Sequence, residues 1–170
     1  MDWSSLGGIV TIRAYQSRDY DQVRAFTCTT PGQKYTRDPQ RVIRHAPDEI
    51  AEDPTAETWI AVADHPEGGI VGVIVYQAQL VGSEDPTIRP FIAALGVRRD
   101  YRRQGIATML KTAAMLDMAD RGIEGPTISL VNRRNVAMLQ LNETRFNAVV
   151  ERDSDDPNDD VITAAIEPVD

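Results

Sequence analysis

The chain has 170 residues, enough for one well-buried core and too few for two ordinary domains, so a single domain over 1–170 is expected. Its formal charge of −8 argues against a general nucleic-acid surface, which is built from clustered Lys and Arg, and no apolar run reaches the ~18 residues a membrane helix needs. The lone Cys28 cannot make an internal disulfide, and residues 1–8 carry neither the basic start nor the apolar stretch of an export signal, so a cytoplasmic protein with a flexible 1–8 lead-in is expected.

Residues 9–14 alternate as a first strand, and Ser17-Arg18-Asp19-Tyr20 opens a helical pattern through Val23, Arg24 and Phe26 that should end near Thr29. A short second helix is predicted over 39–45. Residues 47–54, rich in Asp and Glu, read as loop or a frayed turn. The β-rich runs 58–63 and 70–76, joined by Asp64-His65-Pro66-Glu67-Gly68-Gly69, predict an antiparallel hairpin. A second turn at 82–86 leads to a strand over 88–97.

Residues 104–121 are apolar around most of the circumference, with Ile106, Met109, Leu110, Ala113, Leu116 and Ala119, and predict a buried helix capped by Gly122. A strand at 127–131, a helix at 135–143 and a closing hairpin from 147–151 and 160–166 complete the pattern. The segment 152–160 reads as a solvated acidic loop, since it lacks the glycine and glutamate of a calcium-binding loop.

The most informative stretch is 97–111, where a β-like segment passes through Arg98, Arg99, Arg102 and Arg103 into an apolar helix. A strand that stops where a helix begins leaves backbone N–H groups without intrahelical partners, backed by the positive end of the helix dipole, and an anion belongs there. Gly105 lets backbone approach that anion, and Ala107 keeps the next position small. One cysteine and two separated histidines give no zinc-ligand spacing, and Cys28 reads as a small buried residue rather than a nucleophile.

Arg102-x-x-Gly105-x-Ala107 resembles the Gln/Arg-x-x-Gly-x-Gly/Ala signature of the GNAT acyl-CoA-dependent N-acetyltransferases. Downstream, 127–132 followed by Arg133, Arg134, Asn135, Met138, Leu141, Asn142, Glu143 and Phe146 is similar to the next strand and helix of that family. Where Leu-Gly-Phe is usual, this chain has Thr144-Arg145-Phe146, so the helix exit must be built differently.

The resemblance implies the α/β (α+β) GNAT fold, a mixed, mostly antiparallel sheet of six or seven strands flanked by about four helices. It implies acetyl-CoA as cosubstrate, no metal, and a monomer or homodimer. The pyrophosphate would lie on Arg102, Arg103, Gln104, Gly105, Ile106, Ala107 and Thr108, and the pantetheine on Leu95, Val97, Asn135 and Asn142. The Val97 N–H maps onto the oxyanion donor. Asn142 stands where many members carry a tyrosine acid, and a carboxamide offers the sulfur only a hydrogen bond.

Glu57 is the candidate base, Tyr76 a substrate-lining residue, and Glu49, Glu52 and Asp53 border the acceptor pocket. His45 and His65 are set aside, one beside Pro47 and the other in a turn. The implied function is acetyl transfer from acetyl-CoA directly to an amine of a small molecule or protein. The departures at Asn142 and before Phe146 leave a non-catalytic acyl-CoA-binding regulatory module as the alternative.

Overall fold

In chain order the elements are β1 (Thr11–Ala14), a 3-10 turn (Ser17–Asp19), α1 (Tyr20–Arg24), α2 (Pro39–Glu52), β2 (Thr58–His65), β3 (Gly69–Val81) and β4 (Thr87–Val97). A second 3-10 turn (Arg99–Tyr101) precedes α3 (Ile106–Asp120), β5 (Thr127–Asn132), α4 (Val136–Phe146), β6 (Val149–Arg152) and β7 (Asp159–Ala164). The computed structural model describes residues 8–29, 38–82, 84–152 and 159–164, with backbone alone over 151–152 and 159–164. The lead-in at 1–8 and the acidic loop at 152–160 lie, apart from their edges, outside the described residues.

The strands pair in the order β1-β2-β3-β4-β5-β7-β6, and every pairing is antiparallel except β4 with β5. One face of the sheet is covered by α3, whose Ile106, Leu110, Ala113 and Met118 pack on Ala61, Ile74 and their neighbours. The other face carries α1 and α2, whose Val23, Ile43 and Ala46 meet Val62, Val73 and Val75. Two apolar layers therefore share one sheet, and what lies between β4 and β5 is reached from both sides.

Two helices depart from the sequence expectation. The first ends at Arg24, and Phe26 is buried in the chain beyond it. The second runs to Glu52 rather than stopping at His45, with Pro47 inside it. An interior proline costs a helix about 3 kcal/mol or more. The apolar stripe of Val42, Ile43, Ala46 and Ile50 packs on the sheet and outweighs that cost. The predicted loop at 47–54 is thus helical over most of its length, and α2 turns Arg41, His45 and Glu49 to a common side one turn apart.

On α3 the burial also differs from the apolar count. Leu116 and Ala119 are exposed, whereas Lys111 and Asp117 are buried. Gly122 closes the helix as expected, at φ +78, with Ile123 N–H donating to the Met118 carbonyl and Gly122 N–H to that of Ala119. On α4 the missing glycine is replaced by Asn147, which takes the left-handed conformation at φ 47 so that its N–H and that of Ala148 reach the Asn142 carbonyl.

β4 carries one irregularity that bears on the site. Tyr76 pairs with Ile92 and Val75 with Ala94, so Ala93 is an extra residue, a β-bulge. Beyond it the pleat changes phase. Ile92, Leu95 and Val97 all face α3, while Ala93 and Ala94 face α2.

Candidate active site

β4 and β5 touch as a ladder only at Phe91 with Ile128 and Ile92 with Ser129, and past that point they diverge into a wedge. Arg98 N–H donates to the Val71 carbonyl at 2.8 Å, so by the alternation of an antiparallel ladder Leu95 and Val97 turn their N–H and C=O groups away from β3. Those groups face the wedge. The Val97 carbonyl accepts from Arg102 Nε at 3.2 Å, which bends the following turn back over the strand end.

A cavity of about 530 Å³ lies where β4 passes into α3. Its floor is the first turn of α3, where Ile106, Ala107 and Thr108 carry N–H groups with no intrahelical acceptor and no side chain caps the helix. Gly105 sits at the N-cap with φ +80, and a Cβ added there would meet nothing within 4 Å among the described residues. The space beside it therefore belongs to the cavity, and the glycine is required by its dihedral. Opposite, α4 contributes Met138, Leu141 and Arg145.

Of the predicted cofactor residues, Leu95, Val97, Arg102, Arg103, Gly105, Ile106, Ala107, Thr108 and Asn135 all line this cavity. Gln104 is exposed and does not, and Asn142 lines the neighbouring cavity instead. The arginines divide their work. Arg98 donates to the Gly68 carbonyl and lies over the Tyr101 ring, and Arg102 also donates to the Cys28 carbonyl, so both hold the turn in shape. Arg103, exposed at φ 61, and Arg145 supply positive charge at the cavity. Asn135 caps α4, its side-chain oxygen accepting from Met138 N–H at 3.3 Å, which leaves its NH₂ for a ligand.

A second cavity, about 720 Å³, crosses the wedge from α2 to the space between α3 and α4. Arg41, His45 and Glu49 form its wall on the α2 side, and Lys111 and Asn142 its opposite end. It shares Pro39, Leu95, Asn135 and Met138 with the first, so the two volumes meet at Leu95.

Several sequence expectations are corrected here. Glu57 is exposed at the start of β2 and lines neither cavity. Tyr76 is not substrate-lining: it is 1% exposed, and its hydroxyl donates to Asp117 Oδ2 at 2.7 Å. Burial, reinforced by that carboxylate, pushes the Tyr76 hydroxyl well above the ordinary phenol range. Asp117 in turn takes Arg121, whose guanidinium covers Trp59, so this set braces α3 on the sheet. Glu52 and Asp53 are exposed and line neither cavity, whereas Glu49 does line the larger one, as does His45, which sequence reasoning set aside. Cys28 is buried and its thiol is pushed up to about 11 by burial, as suits a packing residue, and it lies close enough to Gly96 that a Cβ there would meet its Sγ at 2.6 Å.

Lys111 was missed altogether. It is 2% exposed, its Nζ donates to Asn142 Oδ1 at 2.5 Å and lies 4.6 Å from the Phe146 ring centroid, and burial pulls its pKa down to about 8. Asn142 Nδ2, also buried, has no hydrogen-bond partner among the described residues. The available signal was a lysine falling between Leu110 and Ala113 on the arc that the apolar residues mark as buried.

The acetyltransferase (GNAT) family model matches residues 20–142. Among solved structures, a GNAT-family acetyltransferase from Staphylococcus aureus Mu50 superposes with a TM-score of 0.67 at 13% identity, over 93% of this chain and 99% of that one. A GNAT-family acetyltransferase from Desulfovibrio desulfuricans gives 0.66 at 16% identity over 91% and 96%. One from Brucella melitensis, solved in complex with acetyl-CoA, gives 0.58 at 17% identity over 76% and 80%. No curated protein is significantly similar to the chain in sequence. At these identities the structures show the fold, and the family match extends over well more than half the residues: the chain belongs to the GNAT acetyltransferase family.

Proposed function

We propose that the protein transfers an acetyl group from acetyl-CoA directly to an amine. The observation that carries this reading is the meeting of two cavities at Leu95 over an open wedge, one walled by an uncapped helix N-terminus and the other by ionisable side chains. The first suits a pyrophosphate, since Ile106, Ala107 and Thr108 offer N–H groups, Arg103 and Arg145 offer charge, and Gly105 leaves room. Leu95, Val97 and the Asn135 amide suit an amide-bearing arm lying along β4. The second cavity then takes the acceptor.

Acetyl transfer needs a donor for the carbonyl oxygen as it becomes anionic. Val97 borders the donor cavity alone, whereas Leu95 borders both. In this reading the oxyanion role therefore moves from the Val97 N–H to the Leu95 N–H, and Val97 holds the arm. The amine must shed a proton, and His45, with Glu49 one turn along α2, is the base on the acceptor wall. The reading requires a compartment that supplies acetyl-CoA, such as the cytoplasm.

The test is calorimetric titration with acetyl-CoA, followed in the same sample by thiol release across a panel of small amines and amine-bearing peptides. Binding with release on an amine is the expected result and begins to name the acceptor. Binding with no release on any of them supports the regulatory module instead, and absence of binding discards the reading.

A further inference from the structure

Lys111 is a buried cation that the acetyl-transfer scheme above does not use. Among the described residues it has no carboxylate partner: one N–H goes to Asn142 Oδ1 and the Phe146 ring lies beside it. Asn142 Nδ2 is equally buried and has no acceptor among the described residues. Both residues line the larger cavity at its α3–α4 end. Two buried donors short of an acceptor on one cavity wall call for a guest that is anionic or becomes so.

The surroundings narrow the choice. β4 and β5 present Phe91, Ile92 and Ala93–Leu95, then Ser129–Asn132, none of them titratable, and α4 presents Asn135, Met138 and Asn142. The titratable groups on the cavity wall, Asp38, Arg41, His45 and Glu49, come from α2 and its N-cap, and β7 sets Asp159 and Asp160 in register with Asn132 and Val131. The cavity that Lys111 and Asn142 line opens at Leu95 onto the donor cavity, so a thioester brought to that junction enters the volume that this pair borders.

We propose that Lys111, held by Asn142, is the acid that protonates the departing coenzyme A thiolate; the role rests on the acetyl-transfer reading. The amine nitrogen forms the C–N bond, the C–S bond breaks with its electron pair on sulfur, and a Lys111 Nζ proton passes to that sulfur. The proton lost by the amine, taken through His45 and solvent, restores the ammonium, so the products are an amide and a neutral thiol. Burial, which brings Lys111 to about 8, makes that proton easier to give than one on an exposed lysine. Asn142 positions the ammonium and offers the sulfur a second hydrogen bond.

The test needs no knowledge of the acceptor. Free coenzyme A is bound to the wild type and to Lys111→Met, and the ultraviolet absorbance of the thiolate is followed from about pH 6 to about pH 10, spanning an alkyl thiol's ordinary ionisation. A cation beside the sulfur should lower the pH at which the bound thiol ionises in the wild type by about one unit, roughly tenfold more thiolate at a fixed pH, relative to Lys111→Met. Identical ionisation curves in the two folded proteins overturn the proposal. Lys111→Gln provides the same comparison should the methionine variant not fold. If the wild type does not bind coenzyme A, the acetyl-transfer reading falls first, and that failure is seen before any thiol is titrated. Once an accepting amine is known, Lys111→Met should reduce kcat by about 10²-fold with little change in KM for acetyl-CoA.

Discussion

The two cavities that meet at Leu95 are made in opposite ways. The donor side comes mostly from two short stretches, 95–108 and 135–145, and its working groups are backbone amides at the end of a strand and the start of a helix. The acceptor side takes His45 and Glu49 from α2, Lys111 from the second turn of α3, and Asn142 from α4, and its working groups are side chains. An amide's direction follows from secondary structure, so spacing in the sequence conveys it. A side chain's company follows from which elements happen to pack together, and no local spacing conveys that.

This contrast can be broken most sharply at Gly105. Gly105→Glu should weaken acetyl-CoA binding by about 100-fold or more, because it sets a carboxylate at an anion site and forces a non-glycine residue to φ +80, while the exposed position leaves the fold intact. Unchanged affinity in a variant that melts with the wild type would end the idea of a backbone-built donor site. On the acceptor side, His45→Gln should lower kcat/KM for the amine about 10²-fold and leave acetyl-CoA affinity alone, whereas Glu57→Gln should change neither. Equal losses in both variants would mean that the wall has been misread.

Lys111 sharpens the comparison through stability. Its folded pKa of about 8 lies below the ordinary value of 10.5, so between those values the unfolded chain binds more protons and wild-type stability rises with pH. Below about pH 8 the buried charge is carried in full, a penalty of roughly 3 kcal/mol for the shift. Lys111→Met should therefore be more stable than the wild type at pH 7 by about 1–3 kcal/mol, since the lost hydrogen bond to Asn142 offsets part of the gain. Urea melts at pH 7 and near pH 10.5 should show that advantage fading, and an advantage that grows with pH would contradict it. The smallest effect is at the exit of α4, where Asn147→Ala should cost about 1 kcal/mol and Asn147→Gly should be neutral or slightly stabilising.

Much of the fold was legible for the same reason as the donor site. The β2–β3 hairpin, the strand feeding the turn at 98–104, and the Gly122 cap all follow from local pattern. The misreadings arise where packing overrides it. Pro47 signals an end that the burial of Ile43 and Ala46 forbids. Leu116 and Ala119 look buried by type but lie outside, because Lys111 and Asp117 each have a polar companion inside, Asn142 for one and Tyr76 for the other. Neither companion is near in sequence. The glycine missing before Phe146 is legible in the sequence, but its replacement, Asn147, stands after Phe146, where the familiar pattern does not look for it.

The bulge at Ala93 has a consequence for how such a chain can change over time. Leu95 and Val97 face the wedge only because Ala93 stays out of the ladder between Ile92 and Ala94. Replacing Ala93 by another small residue leaves that arrangement untouched, whereas drawing it into the ladder opposite Val75 would slide each later residue of β4 one place along β3 and turn its amide to the opposite side while keeping every letter of the downstream motif. A site made of amides is thus indifferent to spelling and strict about register, and lineages carrying it can diverge widely in sequence so long as the later residues of β4 keep their partners on β3.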